Sequence, residues 1–230
     1  MRRNDPNLAM LELAAGALGP LVDDVVFLGG CAAGLLITDA AAPPVRATRD
    51  VDVIVEMTSL QEYHALSMKL RRLGFREDAR EGAPVCRWRY QPLALDIMPT
   101  SPILGFGNRW YPDAMRAAAP VRLPNGASIR MVTAPFFLAT KLEAFHGRGH
   151  GDFVASHDLE DLIAVIDGRP SIVEETAACI EVRDYLARKF SRLLENAAFL
   201  DALPGHLPGD DASQARVPLI LERMKKIGGL

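Results

Sequence analysis

Asp50 and Asp52 are two carboxylates one residue apart in an otherwise apolar run, Asp50-Val51-Asp52-Val53-Ile54-Val55. In an extended chain alternate side chains share a face, so both acids stand on one side, about 6–7 Å apart along the backbone, while Val51 and Val53 point into the core. Like charges held so close repel and lose hydration, a cost that a hard cation such as Mg²⁺ offsets by taking carboxylate oxygens as ligands. A third acid, Asp96, interrupts a second apolar run, Leu93-Ala94-Leu95-Asp96-Ile97-Met98. If these two runs are neighbouring strands, the three carboxylates can hold two Mg²⁺ ions about 3.5–4 Å apart, an arrangement suited to an in-line phosphoryl displacement. Asp96, bound to only one of the ions, is then placed to accept the proton of an attacking hydroxyl.

A second signal lies upstream. Val25-Val26-Phe27-Leu28 reads as a buried strand, and Gly29-Gly30 ends it. Two glycines let backbone amides approach a phosphate closely, and a helix beginning there presents its N-terminal dipole to an anion. The run Gly29-Gly30-Cys31-Ala32-Ala33-Gly34 is not G-x-G-x-x-G, and no G-x-x-x-x-G-K-[ST] loop occurs, so dehydrogenase and P-loop kinase readings fall behind. Arg46 and Arg49 flank the acid pair and can either screen its repulsion or touch phosphate. The five arginines Arg71, Arg72, Arg76, Arg87 and Arg89, with Trp88 and Tyr90 interleaved, either offer phosphate contacts and stacking surfaces to an RNA or form a solvated helix face and a strand edge. His146, His150 and His157 surround a glycine-rich loop, but their spacing matches no known metal-ligand pattern.

The elements that must position these residues follow from periodicity and punctuation. Asp5-Pro6 opens an amphipathic helix that Gly19-Pro20 stops, and a short apolar helix over Cys31 to Ile37 packs on the sheet. Thr58-Ser59 cap a helix closed by Gly74, and strands over Val85 to Tyr90 and Leu93 to Met98, separated by Gln91-Pro92, form an antiparallel pair. Residues 99–116 read as a long irregular loop. Pro124-Asn125-Gly126 marks a hairpin between Val121 and Met131, since Asn-Gly tolerates positive φ. Helices follow at Ala134 to His146 and Ser156 to Ile166, one or two more span Ser171 to Ala202, and residues 204–209 read as a linker before a last helix from Val217. The chain thus divides into a mixed-sheet core with an N-terminal helix (1–131) and a helical C-terminal region (132–230), an α/β (α+β) protein.

Composition excludes several classes. The chain has 230 residues, 49% hydrophobic and 24% charged, with a net charge of −3, which argues against a surface built throughout to grip nucleic acid. Cys31, Cys86 and Cys179 are an odd set without ligand spacing and read as reduced core residues of a cytoplasmic protein. The N-terminus lacks the apolar run of a signal peptide, and no stretch reaches ~18 uninterrupted apolar residues, so no membrane association is expected.

Gly29-Gly30 at a strand end, Asp50-Val51-Asp52 and a later strand carrying Asp96 resemble the nucleotidyltransferase superfamily typified by DNA polymerase beta, over about residues 22–100. More narrowly, Arg46-Ala47-Thr48-Arg49-Asp50-Val51-Asp52, Lys141 on a helix, and the helix Asp158-Leu159-Glu160-Asp161-Leu162 resemble the AbiEii-like and MenT-like enzymes of toxin-antitoxin systems. The resemblance implies transfer of a nucleoside monophosphate from a nucleoside triphosphate to an acceptor hydroxyl, on RNA, tRNA or protein, with an antitoxin protein as a partner. It makes Asp50 and Asp52 ligands of both Mg²⁺ ions and Asp96 a ligand and base. It brings Gly29, Gly30, Arg49 and Lys141 to the nucleotide, and Asp158 to its neighbourhood. The family's usual Gly-Ser is Gly-Gly here, and the gap to the acid pair is longer than in compact members. Two alternatives stay open: an inactive nucleotide-binding or regulatory protein of the same fold, and an enzyme modifying a small molecule such as an aminoglycoside.

Overall fold

Val25–Leu28 is apolar and buried throughout, and Val51–Val55 is apolar and buried except at Asp52; such valine-rich runs form central strands. In the computed structural model, which describes residues 5–148 and 151–230 with the Arg148 side chain excepted, they are the middle of a seven-stranded mixed sheet. Its strands are β1 (Val25–Leu28), β2 (Val51–Val55), β3 (Arg76–Glu77), β4 (Arg87–Tyr90), β5 (Leu93–Pro99), β6 (Ala119–Arg122) and β7 (Ser128–Met131). The order is β3-β4-β5-β2-β1-β7-β6, with β2 parallel to β5, β1 parallel to β7 and the remaining pairs antiparallel. Val26, Phe27, Val51, Val53, Ile54 and Leu95 are fully buried.

The chain divides into two compact units. The sheet unit comprises Pro6–Ala32 and Ala47–Thr133; Ala33–Arg46 groups with Ala134–Leu230 in a helical unit. In the sheet unit, α1 (Leu8–Leu18) packs on β2 and β5. Asp5 was the expected cap, but Asn7 occupies the position before the helix, and its side chain makes no cap bond. Its oxygen instead accepts from the backbone and side chain of Thr48. The helix α2 (Gly29–Leu36) starts directly on the glycine pair, with Gly29 at a φ of +74°. Next comes α3 (Leu60–Arg72), opened by the Ser59/Glu62 capping box and closed by Gly74 at a φ of +94°. The stretch 99–116, expected to be irregular, ends in α4 (Tyr111–Arg116), because Pro112 in a first turn gives up an N–H that has no intrahelical partner anyway.

The helical unit holds α5 (Ala134–Arg148), α6 (His157–Gly168), α7 (Ile172–Ala178), α8 (Ile180–Leu194), α9 (Ala197–Ala202), α10 (Asp211–Gln214) and α11 (Val217–Gly228). Its core forms where α5 meets α6, α7 and α8, and where α11 packs on α6, α7 and α8. The single long helix or pair expected over 171–202 is broken into three, the last capped by Asn196. The expected linker at 204–209 is structured: Leu203–His206 forms a 3-10 turn, Leu203 is buried, and the Gln214 amide holds the carbonyls of Pro204 and Pro208. The segment Ala33–Arg46 is fastened by the amides of Thr38 and Asp39 on the Gly168 carbonyl and by Arg216, which bridges Asp39 and Asp167.

Candidate active site

Asp52 stands opposite Asp96 in the parallel β2/β5 register, and Asp96 stands opposite Arg87 in the antiparallel β4/β5 register. Arg87, Asp96 and Asp52 therefore form one row across three adjacent strands. The row continues onto β1, where Asp52 is opposite Leu28, the residue before Gly29. Asp50 precedes β2 on the same face as Asp52, and its approach is fixed by Thr48, whose hydroxyl donates to the Asp50 carbonyl while Asn7 holds the Thr48 amide. The alternation expected from the sequence places these acids as described: Val51 and Val53 are buried, Asp50 and Asp52 are half-buried, and Asp96 is buried.

Gly29 belongs to this site for a steric reason. A Cβ placed on it would lie 1.9 Å from Asp52 Oδ2, so only glycine lets the Asp52 carboxylate rest against the backbone there. Positive φ adds a second reason.

Arg87 was grouped in the sequence with surface arginines. Its guanidinium instead grips Asp96 in a fork, Nε to Oδ1 at 2.7 Å and Nη2 to Oδ2 at 2.7 Å, and Nη2 also donates to Asp50 Oδ2. The hydrogen bond to Asp96 pushes the Arg87 pKa further up, against the effect of burial. The signal was present in Arg87-Trp88-Arg89-Tyr90, whose alternation sends both arginines to one face and both aromatics to the other. Trp88 is fully buried and Tyr90 packs on Phe75 with ring centroids 5.1 Å apart, so the expected stacking platform for RNA is not formed by these rings. Arg71 pairs with Glu77. Cys86 lies beside the row with its thiol pushed up to about 12, chiefly by burial and then by the charges of Asp96 and Asp52, which makes it no nucleophile at neutral pH. Cys31 is buried as expected, whereas Cys179 is only half-buried, so it is no core residue.

The donor set suits a hard divalent cation, being three oxygen ligands on one face of two hydrogen-bonded strands. Yet among the described residues no group of three or more His, Cys, Asp or Glu is gathered to hold a metal ion. Arg87 Nη2 bonds Oδ2 of both Asp50 and Asp96, so the three acids fit a hard cation in type while Arg87 now serves as their counter-charge. His146 and His157 are exposed, and His150 lies outside the described residues.

In the helical unit, Lys141 and Asp158 belong to a second cluster. Lys141 Nζ lies 3.1 Å from Asp158 Oδ1 and 2.6 Å from Asp161 Oδ2, and Arg46 meets Asp161 through Nε and Nη2, both at 3.0 Å. Three of the four are buried, with side chains 9%, 9% and 2% exposed for Lys141, Asp158 and Asp161. Asp158 and Asp161 share a face of α6 because they are three residues apart on a helix, a spacing visible in the sequence. Arg49, by contrast, is exposed.

No protein-family model matches the chain, and no curated protein matches it. Among solved structures the chain is similar to the crystal structure of an antigenic nucleotidyltransferase-like protein from Paracoccidioides brasiliensis, at 19% identity and a TM-score of 0.49, over 81% of this chain and 92% of that one. No described helix is long and apolar enough to cross a membrane.

Proposed function

We propose that this protein transfers a nucleoside monophosphate from a nucleoside triphosphate to an acceptor hydroxyl on RNA, tRNA or protein. The observation that carries this is the row of Asp52 and Asp96 in register on adjacent parallel strands, with Asp50 on the same face and Gly29 immediately beyond. Asp50, Asp52 and Asp96 would hold Mg²⁺ after Arg87 leaves; when bound, the metal neutralises charge on the transferred phosphoryl group. The chain's own contributions are distinct from this. The first amides of α2 have no intrahelical acceptors and suit a phosphate oxygen, and Gly29 brings the backbone close without a side chain in the way. Asp96, released by Arg87, is the carboxylate best shielded from water and accepts the proton of the attacking hydroxyl. Arg49 is exposed and suits a phosphate contact. Lys141 gives weaker support to nucleotide binding, since its ammonium already neutralises two carboxylates. The toxin role and an antitoxin partner rest on the sequence resemblance alone.

A second reading, an inactive nucleotide-binding or regulatory protein, is favoured by one observation: Arg87 bonds two of the three acids. One experiment separates the two. The protein and its Asp50→Asn variant are incubated with each α-labelled nucleoside triphosphate, Mg²⁺, total tRNA and protein fractions. Label moved by the wild type only supports the transferase. Nucleotide bound in calorimetry with no label moved by either protein supports the inactive binder, and label moved equally by both would sink the assignment of Asp50.

A further inference from the structure

The Arg87 guanidinium lies between the carboxylates of Asp50 and Asp96. Its Nη2 donates to Oδ2 of both acids, and its Nε completes the fork on Asp96. Asp96 lies on β5 and Asp50 just before β2, so this one guanidinium bridges what would otherwise be two repelling carboxylates. Asp96 is only 7% exposed in its side chain and needs a counter-charge at all times, because a buried carboxylate left alone is costly. Arg87 is not sealed in: its side chain is 20% exposed, although the residue before it, Cys86, is buried.

We propose that Arg87 is a built-in substitute for the metal, and that the guanidinium and a divalent cation exclude one another at Asp50 and Asp96. Metal loading then requires Arg87 to swing off, and metal loss returns it, so that Asp96 never stands unpaired. This rests on the assignment of the acids as a metal site, and it adds a residue that controls how readily that site fills.

Two measurements test it without any transfer assay. Mn²⁺ binding, followed by electron paramagnetic resonance, is compared for the wild type and Arg87→Met. Removing a like charge from beside the ion is expected to tighten Mn²⁺ by roughly tenfold or more; equal affinities, or no binding by either protein, overturn the proposal. Because Arg87→Met leaves Asp96 unpaired and can fail to fold, the second measurement uses the wild type. The Arg87 Nε–H resonance, assigned by its absence in Arg87→Lys, is followed as Mg²⁺ is added, with uptake read in parallel by calorimetry. Movement to the position of a free guanidinium supports the exclusion; Mg²⁺ uptake with an unmoved resonance overturns it. If Mg²⁺ displaces Arg87 but no label is transferred, the transferase reading fails and the exclusion stands. Label transfer with an unmoved resonance gives the reverse.

Discussion

Two clusters of carboxylates and cations lie in the two units of this chain, and they differ in how open they are. In the sheet unit, Asp50 keeps 33% of its side chain exposed and Arg87 keeps 20%. In the helical unit, Lys141, Asp158 and Asp161 are each 9% exposed or less, and Arg46, at 25%, is their contact with water. An ion pair that water reaches can exchange its counter-ion, whereas a closed one pays a large penalty if either partner leaves. The open cluster is the one proposed to take a ligand, and the closed cluster fastens Arg46 and α6 to α5.

Lys141→Met should cost the most. Leaving Asp158 and Asp161 facing each other without the ammonium is expected to cost about 3–5 kcal/mol, read from urea unfolding. A variant of nearly normal stability that no longer binds nucleotide would make Lys141 a ligand-binding residue and erase the distinction. Gly29→Ala sharpens the other side. A methyl 1.9 Å from Asp52 Oδ2, on a residue with φ of +74°, must displace the carboxylate, for an expected loss of about 1–3 kcal/mol and weakened Mn²⁺ binding. Outside both clusters, Ser59→Ala removes the side chain that caps α3 and should cost about 1 kcal/mol in thermal unfolding. The smallest effect is one of acid. The Glu62 carboxyl is held below its ordinary value of 4.5 by the Thr58 amide first and then the Thr58 hydroxyl. A depressed carboxylate stabilises the fold above its ordinary pKa and loses that contribution as pH falls through the lowered value. Glu62→Gln should therefore flatten the acid limb of a stability profile relative to wild type, and an unchanged limb would discount the cap.

The face of each acid was legible because strand alternation is a local property, whereas their meeting in one row depends on the pairing of β2 with β5. The position of Arg87 depends on register, which the pairing of β4 with β5 sets, and an arginine in a basic stretch reads the same whether it faces water or a carboxylate. The helix α4 was hidden because six residues around Pro112 carry no periodicity. The structured turn after Leu203 was hidden because its Pro and Gly content looks like a linker, while the Gln214 amide that holds it is supplied from ten residues away. The grouping of Ala33–Arg46 with the C-terminal helices rests on bonds such as Arg46 to Asp161, 115 residues apart, which no local pattern announces.

That last segment has a consequence in time. Asp39 finds Arg216 across 177 residues of chain. At roughly 5–20 residues per second of synthesis, Asp39 waits on the order of 10–35 s on the ribosome before its partner exists. During that interval the sheet unit, whose last residue is Thr133, can already assemble around the acid row. The strap from Ala33 to Arg46 must meanwhile wait, a stretch of nascent chain open to chaperones or proteases until α6 brings Asp161 and Gly168 and, last, Arg216 closes on Asp39.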